Sequence, residues 1–290
     1  MSGKFVHLHV HSEYSLLDGA NRTAKLVKRV HELEQPAIAL TDHGVMYGAL
    51  EFYCKAKEKG VKPIIGCELY ICNDRNDRSS HGRNSPNRTF HLIALVKNRI
   101  GYQNLVKMVS LSHLEGYYYK PRVDFELLER HNDGLILLSG CLGSEIPQKI
   151  LAGDIDAAYA RAEYFKKLRG DDFYFELQDH GFEEQYKVND QLIAFSKELG
   201  VKLVATNDAH YTCAEDYKTH DALVCIQSGK LVSDPNKLYK SDQFYIKSEA
   251  EMVEKFGHLP EALSNTLEIA SKCNLVIELG KPQLPVYPLP

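Results

Sequence analysis

The sequence predicts an α/β barrel that carries a multinuclear metal site on one rim. Three observations predict it. Short apolar runs alternate with amphipathic stretches along the chain. A His, Asp, Glu or Cys stands in or just past the end of run after run. The length of 290 residues, 44% of them hydrophobic, suits a single barrel of ~250 residues. Alternating strand and helix implies a parallel sheet, because parallel neighbours need crossover connections. Seven or eight such units favour a closed barrel; an open doubly wound sheet is the alternative.

In chain order, the strands are expected at Phe5–Val10, Ala37–Leu40, Pro63–Cys72, Phe90–Val96, Gly134–Leu138, Phe173–Leu177 and Lys202–Thr206, with helices between them. Over Glu183–Leu199, Val188, Leu192, Phe195 and Leu199 follow the spacing of one buried helical face. Gly200 then stands where a helix-terminating C′ residue belongs. KEKGVKPIIG (57–66) and KELGVKLVAT (197–206) repeat one pattern of helix end, glycine turn and strand. The polar, non-periodic segment 73–88 reads as a long exposed loop. The domain is expected to span 1–279, with the proline-rich 280–290 opening a linker.

The net charge of −4 excludes a global basic field for holding nucleic acid, so any such contact must be local. No apolar stretch reaches the ~18 residues of a membrane span. MSGKFVHLHVHSEYS lacks the long apolar region of a secretory signal. The seven cysteines are scattered and lack CxxC spacing, which fits reduced thiols in a cytoplasm better than a disulfide framework.

The chemistry sits at the run ends. In FVHLHVHS (5–12), alternation places Val6, Leu8 and Val10 on one face and His7, His9 and His11 on the other. The H-x-H pair suits a divalent metal; a histidine-rich core strand with satisfied hydrogen bonds is the alternative. Asp42 and His43 follow Ala37–Leu40, as a helix cap with an incidental His or as site residues. Glu68 lies among Ile64, Ile65, Leu69 and Ile71, where a carboxylate needs a cation or a strong donor; Arg or Lys would serve as well as a metal. His91 opens its run rather than closing it. Cys141 stands between Gly140 and Gly143, and a lone Cys is usually an inert small core residue. Asp208 and His210 form a second i, i+2 pair, and mixed imidazole and carboxylate donors suit zinc, manganese or iron.

HLHVHSEYSLLDGA, ALTDHGVMYGALEFY, KPIIGCELY, YYYKPRVDFELL, LSGCLGSEIP, ELQDHG, TNDAHY and SDQFYIKSEAEM together resemble the PHP (polymerase and histidinol phosphatase) family. The likeness spans essentially the whole chain and is closest to the PHP domains at the N-terminus of bacterial DNA polymerase III alpha subunits. It implies a distorted (β/α)7 barrel with two to three divalent ions (zinc, manganese, iron or magnesium). It implies the ligand set His9, His11, Asp18, His43, Glu68, His91, Cys141, Asp208 and His210, and so adds Asp18, otherwise read as a helix cap. All nine positions hold a residue able to ligate. His9, His11, Asp208 and His210 would act through the metals, so no Ser or Cys nucleophile is needed. Lys120, Arg122 and His180 are candidate phosphate contacts, with solvated surface side chains as the alternative. The implied activity is metal-dependent phosphoester hydrolysis as a 3′–5′ exonuclease on DNA. The alternatives are a metal-stabilised scaffold, a pyrophosphatase or a small-molecule phosphatase. The implied partners are primer-template DNA, the remaining polymerase region of the same chain and other replicase subunits, in the cytoplasm and not at a membrane. Arg75, Arg78, Arg83 and Arg88 make the 73–88 loop a candidate DNA contact.

Overall fold

Each expected strand from Ala37 onward forms in the computed structural model, which describes residues 5–16, 18–79, 82, 85–234 and 241–281, while the first, Phe5–Val10, makes only isolated bridges. The elements follow in order as α1 (Thr23–Glu32), β1 (Ala37–Leu40), α2 (Ala49–Glu58), β2 (Lys62–Cys72), β3 (Phe90–Val96), α3 (Arg99–Leu114), β4 (Arg122–Asp124), α4 (Phe125–Arg130), β5 (Leu135–Leu138), α5 (Glu145–Leu151), α6 (Ile155–Arg169), β6 (Phe173–Leu177), α7 (Glu183–Leu199), β7 (Lys202–Ala205), α8 (Tyr217–Ser228), α9 (Glu249–Phe256) and α10 (Pro260–Lys272). The strand order across the sheet is β1-β2-β3-β5-β6-β7, and β4 pairs with the far end of β2. The opening segment closes the ring. It bridges β1 through His7 and Ile38, and it bridges the residues after β7 through Val10 and Ala209. The result is a distorted barrel whose staves number the opening segment and six strands.

The repeat in the sequence does what its chemistry predicts. Gly60 and Gly200 both take positive φ, 73° and 62°, and turn the chain from α2 into β2 and from α7 into β7. On α7, Val188, Leu192 and Phe195 are buried as the spacing requires.

Two expectations fail. The sheet is not all parallel: β3 runs antiparallel to both β2 and β5. Only the 17 residues from Asn73 to Thr89 separate β2 from β3, and they hold no helix among the described residues, so no crossover turns the chain back to parallel. The alternation in 5–12 also breaks. The chain bends at His9. Before the bend Val6 and Leu8 join the barrel interior, and after it Val10 joins the outer layer with Phe5. His9 and His11 therefore turn inward, while His7 points away and its Nε2 meets the Lys247 carbonyl at 2.9 Å.

The 73–88 loop is not simply solvated. Arg75 grips Asp124 at 2.8 Å, Arg78 donates to the Glu115 carbonyl, and Arg88 donates to Gln148. Arg122 is buried and donates to the carbonyls of Gly116, Asp77 and Arg75 at 2.9, 2.6 and 2.7 Å. It pins the loop rather than facing a substrate. Arg83 and the tail 282–290 lie outside the described residues.

The barrel interior holds Val6, Leu8, Ala37, Ala39, Ile64, Ile93, Leu95, Ile136, Leu138, Tyr174 and Val204, packed with Ile269, Ala270 and Cys273 of α10. Most of these stand at strand starts, or at the end of the reversed β3. So α10 seals one end with apolar side chains and leaves the other end for polar ones. Asn265 and Thr266 fasten it, the first donating to the Leu203 carbonyl and the second accepting from the Val6 amide. No helix among the described residues is long and apolar enough to cross a membrane. Ile269→Ala should cost about 2–5 kcal/mol in urea denaturation, because Ile269 is fully buried and the rigid strand ends around it cannot collapse onto the cavity. An unchanged midpoint would show that α10 does not plug the barrel.

Candidate metal centre

The polar end collects every residue of the expected ligand set. β3 explains His91: because that strand is reversed, its first residues reach the rim where the parallel strands end. His91 Nδ1 lies 2.8 Å from Glu68 Oε1 and 3.4 Å from Cys141 Sγ. Gly143 makes room, since a Cβ there would stand 2.9 Å from the His91 ring. Gly140, at φ 81°, lets the chain after β5 turn and carry Cys141 inward.

Glu68 is the hub. It is fully buried. Its Oε1 lies 3.6 Å from His9 Nε2, and its Oε2 lies 3.6 Å from His11 Nε2 and contacts His43 Nδ1. Asp208 Oδ1 lies 3.1 Å from His9 Nε2 and 3.0 Å from His11 Nε2. Asp208 takes φ 43°, a left-handed conformation uncommon outside glycine that the surrounding contacts must hold. Asp18 sits 2.8 Å from His210 Nε2 and 3.5 Å from His43 Nε2. The rings of His43 and His210 both pack on His11, with centroids 4.0 and 4.4 Å from it and 5.8 Å from each other.

The donor set fits divalent metal. Three groups each bring three ligand atoms within 4.8 Å of one another: His9, His11 and Asp208; His11, His43 and His210; Glu68, His91 and Cys141. His9 Nε2, both His43 ring nitrogens and Glu68 Oε2 are buried with ion-pair contacts but no well-aligned hydrogen bond. Buried polar atoms in such numbers are costly unless something binds them. A mix of imidazole, carboxylate and thiol suits zinc and its first-row neighbours.

The charges of these residues are mutually set. Burial alone would raise the Glu68 carboxyl, but His91 and His43 outweigh it and hold it well below the usual range. Asp208 behaves likewise, burial being overcome by His9 and His210. Burial works against protonated His9 and His43; Asp208 and Glu176 around the first, and Glu68 and Asp18 around the second, raise both well above 6.5. His210 is raised by Asp18 and Asp208 against the same burial. His11 is pushed down to about 3 by burial and by His43 and His210, so it stays neutral with its lone pair available. Burial, with Glu68 and Asp208 nearby, holds the Cys141 thiol up, so thiolate forms only beside a cation.

A second ring of residues holds the first. Glu176 on β6 meets His9 Nδ1 at 2.6 Å and accepts from Thr206 and Gln178 at 2.5 and 2.8 Å. That fixes the His9 ring with Nε2 turned to the centre. Asp42 accepts from the Ser12 amide, the Ser12 hydroxyl and the Ser15 hydroxyl at 2.6, 2.8 and 2.7 Å, and Ser15 Oγ stands 3.4 Å from His11 Nδ1. Asp42 is thus neither ligand nor helix cap. His180 is buried, accepts from Gln185 at Nδ1 and donates from Nε2 to the Asn207 carbonyl at 3.0 Å. It braces the turn before Asp208 instead of facing a substrate. Lys120 lies on the wall of a cavity beside the centre, its Nζ 3.3 Å from the Tyr70 hydroxyl. Sequence reasoning missed Glu176. The signal was there: an ionisable residue inside the apolar strand FYFEL, the same anomaly that marks Glu68.

The PHP-domain family profile matches residues 7–180. The chain is similar to DNA polymerase III subunit alpha of Borreliella burgdorferi, at 47% identity over 99% of this chain and 25% of that protein. The corresponding protein of Treponema pallidum is 49% identical over 99% of this chain and 24% of its own length. That of Thermus aquaticus is 45% identical over the same shares. The chain thus spans about a quarter of the length of these curated relatives.

Two outcomes follow from the geometry. Glu176→Gln should weaken metal affinity by about 10- to 100-fold in chelator competition while the far-ultraviolet spectrum stays the same; unchanged affinity would remove Glu176 from the centre. His9, His43 and His210 keep protons above pH 6.5 in the metal-free chain, so an incoming ion must expel them. Affinity should therefore rise with pH through neutrality. Calorimetry in buffers of different ionisation enthalpy should register proton release at pH 7, and none would contradict the assignment.

Proposed function

The chain belongs to the PHP-domain family, and from that premise we propose that it is a metal-dependent phosphodiesterase acting as a 3′–5′ exonuclease on DNA. The observation that carries the reading is Glu68, a fully buried carboxylate within 3.6 Å of ring nitrogens from His9 and His11 and in contact with His43 and His91. A purely structural rim has no need to crowd four imidazole rings around one buried acid.

Two to three divalent ions would be held, one by His9, His11 and Asp208, one by Glu68, His91 and Cys141, and one by His43, His210 and Asp18 with His11 shared. When bound, such ions supply Lewis acidity toward phosphate oxygens and lower the pKa of a coordinated water. The chain's own residues do the rest. Glu176 holds the His9 proton on Nδ1, so Nε2 is the donor. His11 remains neutral. Lys120 would offer an ammonium to phosphate oxygens, a role supported by the cavity wall it shares with His43 and Asp18. The polymerase names of the relatives support a DNA 3′ end as substrate, with the polymerase region and other replicase subunits as partners in a bacterial cytoplasm. The 1–279 boundary of the domain belongs to the same proposal.

A second reading has an observation of its own. The ligands come from the opening segment, the turn after it, the residue stretches after β1, β5 and β7, and from β2 and β3, so ions would brace most of the barrel. A scaffold with little catalysis would look the same at rest.

Activity separates the two. Wild type should release mononucleotides from 3′-labelled DNA with manganese or zinc. Asp208→Asn and His9→Ala should each lose more than the ~100-fold reached by outer partners, with metal content reduced and the fold retained. Equal release by all three proteins would trace the activity to a contaminant. No release by fully metallated wild type, alone or within the full-length polymerase, would favour the scaffold. In either case a chelator should lower the melting temperature, since the ions bind only the folded barrel.

A further inference from the structure

A cavity of about 260 Å³ opens beside the centre, and its wall carries Tyr14, Tyr47, Tyr70, Tyr117, Tyr119 and Lys120. Two of the expected metal ligands, His43 and Asp18, share the same wall. We infer that this cavity is a nucleoside subsite: it takes the base and sugar of the nucleotide unit whose phosphodiester lies at the His43 and Asp18 edge. The inference rests on the phosphoesterase reading and deepens it.

The tyrosines converge from separate parts of the chain: the turn after the opening segment, the loop before α2, strand β2, and the link between α3 and β4. Tyr47, Tyr117 and Tyr119 leave 64, 54 and 61% of their surface in water. A base stacked against them covers that apolar area. Tyr119 is also held at φ 60°, a left-handed conformation disfavoured for a bulky residue and typical of functional positions.

The inner end of the cavity is coupled to the centre. The Tyr70 ring is stacked toward His43, centroids 6.2 Å apart, and meets His91 edge-on at 5.3 Å. Lys120 Nζ lies 5.0 Å from the Tyr70 centroid. An ammonium therefore stands beside the ring that adjoins His43 and His91 of the centre, and it supplies a counter-charge for phosphate. The volume falls below the ~300 Å³ at which pockets for larger ligands begin, so it suits one nucleoside rather than a run of them.

Three of the polar groups on the wall are already engaged. Tyr14 donates to Glu51, Ser15 donates to Asp42, and His113 Nε2 meets the Gly44 carbonyl. Five tyrosine rings, beside Lys120 and against one amide, Gln227, make recognition mainly by ring faces, which tolerates all four bases.

The test is equilibrium binding to the metal-loaded chain of the four deoxynucleoside 5′-monophosphates and of deoxyribose 5-phosphate, which lacks a base. Wild type should prefer the nucleotides by about 5-fold or more, the low end of one stacking contact, with the four bases within a few-fold of one another. Tyr47→Ala and Tyr117→Ala, both at exposed positions, should each reduce that preference and leave deoxyribose 5-phosphate binding as it was. Tyr117→Phe should restore it. Equal binding of nucleotide and sugar phosphate by wild type, or a preference untouched in both alanine variants, would overturn the inference. Hydrolysis of DNA by a chain that binds nucleotide and sugar phosphate equally would remove the subsite and leave the phosphoesterase standing. A preference for nucleotide over sugar phosphate in a chain that hydrolyses nothing would sustain the subsite and remove the phosphoesterase.

Discussion

Glu68 cannot be ionised in the middle of a protein without positive charge around it, and almost everything at the open end of the barrel answers that constraint. Asp18 and Asp208 are nearly as buried, and Glu176 stands one layer out. Unpaired, each carboxylate would cost several kcal/mol to desolvate. In the metal-free chain the compensation comes from imidazolium: His9, His43 and His210 are held protonated by the acids they face. On the proposed reading, divalent ions would deliver the same charge more compactly and free the protons, so metal uptake would exchange one neutralised form for the other. This also explains Cys141, whose thiol is held protonated by its acidic neighbours and becomes useful only once a cation arrives.

Two irregularities of the fold make this concentration of donors possible. A regular parallel barrel would leave His91 at the wrong end of β3, and reversing that strand between β2 and β5 brings it to the rim. A regular strand over 5–12 would point His7, His9 and His11 the same way. The bend at His9 sends two of them to the centre and leaves His7 to hold the Lys247 carbonyl. The strained backbone at Asp208 belongs with these, because it aims a carboxylate between His9 and His11. The apolar seal of α10 at the other end supplies the rigidity against which such distortions are held.

Much of this was legible in the sequence, for identifiable reasons. Strand positions followed from apolar runs, and α7 from its spacing, because burial acts on one residue at a time. Glu68 stood out because an acid inside an apolar strand needs an explanation. Strand direction was not legible, since it depends on how a connection crosses the sheet and not on the residues of the strand. The bend at His9 was hidden for the same reason: local alternation gives a regular answer, and closure of the barrel overrides it. Asp18 entered only through family likeness, because in isolation it resembles any acid before a glycine. Arg122 and His180 were open between substrate contact and solvated side chain, because a charged or aromatic side chain shows its partners only once the loops are placed; both are buried in backbone contacts.

The central claim is that these nine side chains form one ion-binding centre organised on Glu68 and Asp208. Anomalous diffraction at the zinc and manganese edges, on crystals of the metal-loaded chain, tests it most directly. The account predicts at least two peaks at the open end of the barrel, each about 2.0–2.3 Å from donor atoms of this set, with the Glu68 and Asp208 carboxylates both engaged. A well-ordered barrel with no peak there, or with ions bound only elsewhere, would contradict it.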